Sequence, residues 1–527
     1  MPVGEDGAGS ALEPFQFTDA ASCRAWLGRL AGADAAVRHA SFGRHVRQVP
    51  EALLAPAVKL EVLETMREAV HAAQAEHAKD HRGRAVPLNP GHRAAWQETV
   101  GLWRALASAY ESLIADMAET APELATHAAL ICQRVLRYTG LAMGEYNRAY
   151  HSVPEELWQQ LHRLYVFAEN AVVATARVRD GVERIAAETT CTAAYVRSLL
   201  AQLAQPDALT IRQMDIVDRW LDHWEGLVSL SPEPARSSTV AALAVDLMSQ
   251  KGAALAKQMP AAGARHLNLD NLGRTLRQAS ASLKKGQTPW QIGLGELRPD
   301  VCEMMLVLLY IQWCAAGTGR VDERTAASMS VRICPGIASI HHQLTGRPLR
   351  QPEGEPALRV VGNGSMPEWD EPPPAATETW SIVNKSASGF LGLCRKPDVN
   401  APVGHRQLLG MKAGPEKGIY VGIVQRLNVD ANGSVWVGLR LISAGPQPAA
   451  VRTAEERAGD SAGGAYERAL LLPEDAARNV PTTLVLPPKW YRPERVLEVH
   501  TGTGQRIRLQ ALLEEGPNFE RATFAPA

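Results

Sequence analysis

The chain has 527 residues, 55 of them basic and 56 acidic, for a formal net charge of −1. That length calls for at least two hydrophobic cores, and so balanced a charge excludes a global field for a nucleic-acid polymer or an anionic membrane. With 46% hydrophobic and 21% charged residues, it should bury ordinary globular cores.

Met1 to Pro14 mixes glycine and acidic side chains, with no basic n-region and no apolar h-region. These residues are expected to be flexible and to hold no secretory signal. The seven cysteines are odd in number, scattered, and form no C-x-x-C pair. That usage belongs to a reducing compartment, so the expectation is a cytoplasmic protein.

Residues 1–346 read as an α-helical domain. Stretches such as Glu51 to Lys79, Ala94 to Glu119 and Glu155 to Leu203 are rich in Ala, Leu, Glu, Arg and Gln, with apolar positions every three or four residues. Pro122, Pro154, Pro206, Pro234, Pro299 and Pro335 stand where helices should start or stop, which predicts roughly eight to eleven helices. Trp103, Leu106 and Tyr110 share the spacing of Trp158, Leu161 and Tyr165, which resembles the first helix of a tetratricopeptide repeat. The two copies are 55 residues apart and no third follows, so an irregular bundle is expected. Val301 to Ala316 falls short of the roughly 20 residues a bilayer requires and holds Glu303 and Gln312. It is predicted to be the most buried helix, not a membrane insertion.

Residues 347–375 form a proline-rich strap with Pro352, Pro356, Pro367 and the run Pro372 to Pro374. Few core contacts are expected to cross it. Short β-type runs follow: Thr377–Asn384, Gly389–Cys394, Gln407–Lys412, Gly418–Asn428 and Gly433–Ser443, with a hairpin signal at Asn428–Gly433. Residues 376–447 therefore read as a small antiparallel β-barrel. Residues 448–466 read as a loop and 467–527 as a C-terminal β extension. The fold class is multidomain α + β.

One segment carries chemistry. Asn384-Lys-Ser386-Ala-Ser-Gly389 satisfies [D/N]-x-S-x-x-G on a strand. Asn384 and Ser386 are two apart and share one face, where an amide and a hydroxyl can meet hydrogen-bonding edges of a base. Gly389 permits a bend or close approach. The segment, with the strands Ile419 to Leu427 and Val435 to Ile442, resembles the PilZ domains, bacterial receptors for cyclic di-GMP. The resemblance implies a PilZ-like barrel that binds this dinucleotide, with Asn384, Ser386 and Gly389 at the ligand. It also implies an upstream R-x-x-x-R whose guanidinium groups meet the phosphates. The candidates nearest the barrel are Arg347 and Arg350, spaced R-x-x-R, with Arg359 beyond; the strict spacing occurs at Arg320 and Arg324, in the stretch read as helical.

Other constellations read as structure. His77 and His81 are i,i+4, with His71 and His92 nearby, but their neighbours describe a solvated helix end, so no metal site is expected. His341 and His342 suit a helix C-terminus. Arg274, Arg277, Lys284 and Lys285 form a basic helix face. No phosphate-binding or hydrolase motif occurs, so neither an enzyme nor a cofactor is expected beyond the ligand cyclic di-GMP. The resemblance implies a signalling adaptor acting on motility, adhesion or exopolysaccharide through an unidentified protein partner of its helical domain. The alternative is a constitutive scaffold whose barrel no longer binds.

Overall fold

The computed structural model describes residues 15–182, 188–234, 240–260, 263–315, 325–346, 349, 377–386, 389–394, 402–414, 418–454, 465–475, 480–501 and 504–527. Eight helices open the chain: α1 (Ala20–Leu30), α2 (Ala35–Gln48), α3 (Pro56–His77), α4 (Pro90–Glu119), α5 (Ala128–Arg148), α6 (Glu155–Asn170), α7 (Cys191–Leu203) and α8 (Ile211–Trp224). Their starts are chemically marked. Asp19 and Thr210 cap α1 and α8 through reciprocal side-chain bonds, and Pro56 and Pro90 fill first-turn positions where no N–H is required. Helix α5 lies centrally against α4, α6 and α7 and is buried on most of its faces.

Charges are buried inside this bundle, and they are paired. Glu64 accepts from Arg134 Nε at 2.8 Å, Arg134 Nη2 at 2.9 Å and the Tyr110 hydroxyl at 2.7 Å. Arg67 donates to the Tyr138 hydroxyl at 2.9 Å and pairs with the buried Asp180. Glu145, on α5, holds Arg82 and His81. Such partners are what allow charge to survive burial.

The region read as all helical contains strands. A two-stranded hairpin, β1 (Val178–Arg179) with β2 (Glu188–Thr189), precedes α7. A four-stranded sheet in the order β3-β6-β4-β5 joins β3 (Ser229–Ser231), β4 (Leu243–Asp246), β5 (Ala254–Leu255) and β6 (Ala264–Asn268). Helices α9 (Asp270–Lys284) and α10 (Pro299–Trp313) follow and pack on each other. Helix α10 buries Cys302, Met305, Leu306, Leu309 and Trp313 but exposes Met304, Val307 and Ile311. It is therefore half-buried, and α5 and α7 are the helices most enclosed. A run apolar at nearly every position did not mean burial on every face.

Two closed six-stranded barrels complete the chain. The first joins β7 (Thr325–Pro335), β8 (Glu378–Lys385), β9 (Gly389–Cys394), β10 (Leu408–Lys412), β11 (Ile419–Val429) and β12 (Val435–Ser443), in the order β10-β11-β12-β9-β8-β7. It closes through β7 and β10, with Gly410 opposite Cys334. Strand β7 lies before residue 346, in the stretch read as helical, so the barrel takes its first strand from upstream of the strap. Its Ala- and Ser-rich first half carries no strict alternation that would mark a strand. Helix α11 (Gly336–Thr345) follows β7 directly.

The second barrel joins β13 (Gln447–Thr453), β14 (Glu467–Leu472), β15 (Thr483–Leu486), β16 (Val496–His500), β17 (Gly504–Gly516) and β18 (Phe519–Pro526), in the order β13-β14-β15-β18-β17-β16. The stretch read as a β extension is thus most of a second closed barrel, and β13 falls in the segment read as loop. Leu484, Leu486, Leu497, Val499, Ile507 and Leu509 fill its core.

The first barrel is docked on the helices. Val86 and Val403 exchange two backbone hydrogen bonds at 2.8 Å. The Val429 N–H donates to Tyr150 O at 2.7 Å, and the Ser152 N–H to Val429 O at 2.9 Å. Arg426 on β11 reaches Asp207 at 3.2 Å. Barrel residues Trp380, Ile382, Val424, Val437 and Leu439 belong to the same contiguous hydrophobic cluster as the helical core. The expectation that few core contacts cross the strap does not hold, because that continuity arises from tertiary contacts no local pattern displays. The two barrels meet through α11, whose Ile337 and Ile340 lie among Leu408, Val421, Ile423, Leu470, Val485 and Phe519. The Asn518 side chain adds bonds to both backbone groups of Leu408, at 2.9 and 3.2 Å.

Candidate ligand-binding hairpin on the first barrel

The signature segment forms the β8–β9 hairpin. Asn384 pairs with Ala326 on β7 and Leu391 on β9, and Gly389 pairs with Arg440 on β12. The pairing of β8 with β9 shifts register between Ile382 and Asn384, at the start of the signature. Trp380 and Ile382 point into the barrel core, and Asn384, next in the same alternation, is half-buried between the exposed Val383 and Lys385.

The three signature residues divide by role. The Ser386 N–H donates to Gly389 O at 2.7 Å, and its hydroxyl accepts the Gly389 N–H at 3.1 Å and lies 3.2 Å from the same carbonyl. That hydroxyl is engaged in closing the turn. Gly389 is required by the sheet, since an added Cβ would lie 2.4 Å from Leu439 O. Asn384 differs: its side-chain Oδ1 is buried and has no hydrogen-bond partner among the described residues. A buried carbonyl oxygen is free there to accept a hydrogen bond.

The phosphate partners expected from the sequence, Arg347 and Arg350, lie outside the described residues, as do Arg320 and Arg324. The described strand β7 nevertheless begins at Thr325, the residue after Arg324, and Thr325 pairs with Lys385 between Asn384 and Ser386. The R-x-x-x-R was set aside as helical because β7 has no clear strand signal. In the sequence it stands immediately before a barrel strand.

Histidines dismissed as metal ligands are dispersed in the structure. His81 meets Glu145 at 3.2 Å, and His71 packs edge-on against Trp103. His77 lies 2.9 Å from Glu98 and stacks on His39, the one grouping among the described residues compact enough to hold an ion. His39 is already bonded to Gln74 at 2.8 Å, and two parallel rings 3.9 Å apart do not converge on a common point. The six described cysteines are buried and unpaired, and burial pushes the thiols of Cys23 and Cys132 up to about 11. No described helix is long and apolar enough to cross a membrane.

Two family profiles match this chain. Residues 21–235 match the N-terminal domain of the cyclic-di-GMP receptor FimW, and residues 449–527 match the FimW C-terminal beta-barrel domain. The first match spans α1 to the end of β3, the second almost all of the second barrel, and the signature hairpin lies between them. A curated relative, the cyclic-di-GMP receptor FimW of Pseudomonas aeruginosa, is 22% identical over 514 residues, covering 88% of this chain and 83% of the relative. With both domain profiles matched in order and the relative aligned along most of the chain, the protein is similar to the cyclic-di-GMP receptor FimW in its helical region and in its second barrel.

Proposed function

We propose that this protein is a cyclic di-GMP receptor that binds the dinucleotide at the β8–β9 hairpin of its first barrel. The observation that carries the reading is the buried Oδ1 of Asn384, which has no partner among the described residues. In this reading it accepts from a guanine N–H, and the ligand supplies the bond the free protein lacks. The name of the FimW relative supports the choice of ligand.

The phosphates are assigned to Arg320 and Arg324. What supports this pair is the chain path: Arg324 adjoins Thr325, whose partner Lys385 sits inside the signature. Arg347 and Arg350 are reached only after β7 and α11 have been traversed. They remain the competing pair, proposed from their position ahead of β8. Guanidinium forks suit phosphate oxygens, and each charge-assisted bond is worth about 1.5–3 kcal/mol. Contacts of the ligand with both the arginines and the hairpin act on the first barrel. That barrel shares its core with the helices, so binding biases the helical surface that meets a protein partner.

The scaffold reading rests on Ser386 and Gly389, whose roles in the turn need no ligand. Calorimetric titration of the full chain with cyclic di-GMP separates the two readings. Binding that cyclic di-AMP does not reproduce is expected for the receptor. Heat-silent titrations with both nucleotides would leave the scaffold.

A further inference from the structure

We infer that the cleft where the helical region meets both barrels is a second binding site, built for a compact phosphate dianion. The cleft has a volume of about 800 Å³. Its basic lining comes from four separate segments: Arg84 between α3 and α4, Arg212 in the first turn of α8, Arg406 ahead of β10, and Lys489 between β15 and β16. No helical or strand period links these positions; the tertiary fold brings them together.

All four side chains are on exposed residues, and none forms an ion pair among the described residues. Arg84 alone uses a donor within the protein, from Nε to Asp80 O at 3.2 Å. Two carboxylates, Glu515 and Glu520, also line the cleft. Glu520 is already engaged, accepting the N–H of Lys489 at 2.7 Å and of Tyr491 at 2.6 Å. Four cations against two anions leave an excess of two positive charges, which a dianion would cancel. The first turn of α8 adds its helix-terminal partial charge of the same sign.

Backbone conformation points the same way. Arg406 and Lys489 have φ of 62° and 67°, a region where glycine or asparagine is the cheaper occupant. Arg406 is held there by its N–H to Val424 O at 2.9 Å, while the Val424 N–H donates to Gln407 O at 3.0 Å. A long cation kept at two such positions in one cleft is explained by what the side chains do there. Tyr150, stacked on His405 with rings inclined by 6°, adds a flat wall.

The site is not the hairpin. Strand β10 begins beside the Pro335 end of β7, whereas Asn384 pairs with Ala326, roughly 30 Å away along that strand. The inference therefore stands without the hairpin reading.

Inorganic pyrophosphate is the probe, titrated into the full chain at low salt. The parent should bind, and more weakly as salt is added. Arg406→Gln or Arg212→Gln should each weaken binding about tenfold or more, and Arg84→Gln with Lys489→Gln should weaken it further. Asn384→Ala should leave it unchanged. Melting temperatures should match the parent, because these cations make no ion pair; Arg212→Gln, on an exposed helix turn, is the variant least able to disturb folding. Competition by cyclic di-GMP would identify the physiological phosphate as a nucleotide, and lack of competition a smaller phosphate. A parent that does not bind pyrophosphate, or one whose binding survives all four substitutions, overturns the inference.

Discussion

Numbered from its own first strand, each barrel runs in the same ring order, 1-2-3-6-5-4, closed by pairing of strands 1 and 4. One connectivity thus appears twice in succession, yet the two copies are used differently. In the first barrel, strands 2 and 3 are joined over Ser386 to Ser388, and the ten residues before strand 1 include Arg320 and Arg324. In the second, ten residues separate strands 2 and 3, and the ten before strand 1 include only Arg440, which is tied to Glu514. The first also shares its core with the helices, whereas the second keeps a core cluster of its own. Topology supplies a scaffold; what sets the first copy apart is its short β8–β9 turn and the arginine pair that precedes its first strand in the sequence.

The largest effects should test the difference in cores. Leu439→Ala in the first barrel and Leu509→Ala in the second each delete a fully enclosed side chain, at about 2–5 kcal/mol. Hydrogen exchange should show the first variant loosening helices and barrel together, and the second loosening its own barrel selectively. Identical exchange patterns would abolish the distinction. Next comes the hairpin turn. Gly389→Ala sets a methyl group against Leu439 O and should destabilise the chain by about 1–3 kcal/mol, read from the urea midpoint.

A smaller contrast separates the signature residues. Ser386→Ala removes turn hydrogen bonds and should lower stability by about 1 kcal/mol. Asn384→Ala removes an orphan acceptor, so it should leave stability level or slightly higher while weakening cyclic di-GMP. Equal stability losses would mean that Asn384 is merely structural.

The subtlest test is pH. Burial raises the Glu145 carboxyl, but the His81, Arg148 and Arg82 interactions outweigh it and hold the group at about 2. A folded value below the ordinary 4.5 contributes stability above pH 4.5 that is lost as pH falls toward 2. Arg82 lies four residues before Val86, which bridges to Val403, so acid should loosen the docking of the first barrel before the second barrel melts. Glu145→Gln should flatten that acid limb in a fluorescence melt series.

Much of this arrangement was legible beforehand. The strands with β-branched alternation, β8, β11 and β12, matched their predicted runs within a residue or two, and NVDANG closed a hairpin as its composition demands. Strands β7, β13 and β18 were missed because Ala, Ser and Pro in them blur the period-two signal. The strand that closes the first barrel and the closure of the second were missed with them, since both depend on pairings between distant strands. That loss also hid that Thr325 and Ala326 pair with Lys385 and Asn384. The four cations of the junction cleft had no local signal at all; they lie up to 405 residues apart and converge only in the folded chain.

The central claim is that the first barrel binds cyclic di-GMP with arginines that enter strand β7 beside Asn384. Titration of the ligand into two double variants, Arg320→Ala with Arg324→Ala and Arg347→Ala with Arg350→Ala, measures it directly. The account predicts that the first pair loses about a hundredfold or more in affinity, at about 1.5–3 kcal/mol per arginine, while the second binds like the parent. Loss confined to the Arg347 and Arg350 variant, or parental affinity in both, would contradict it.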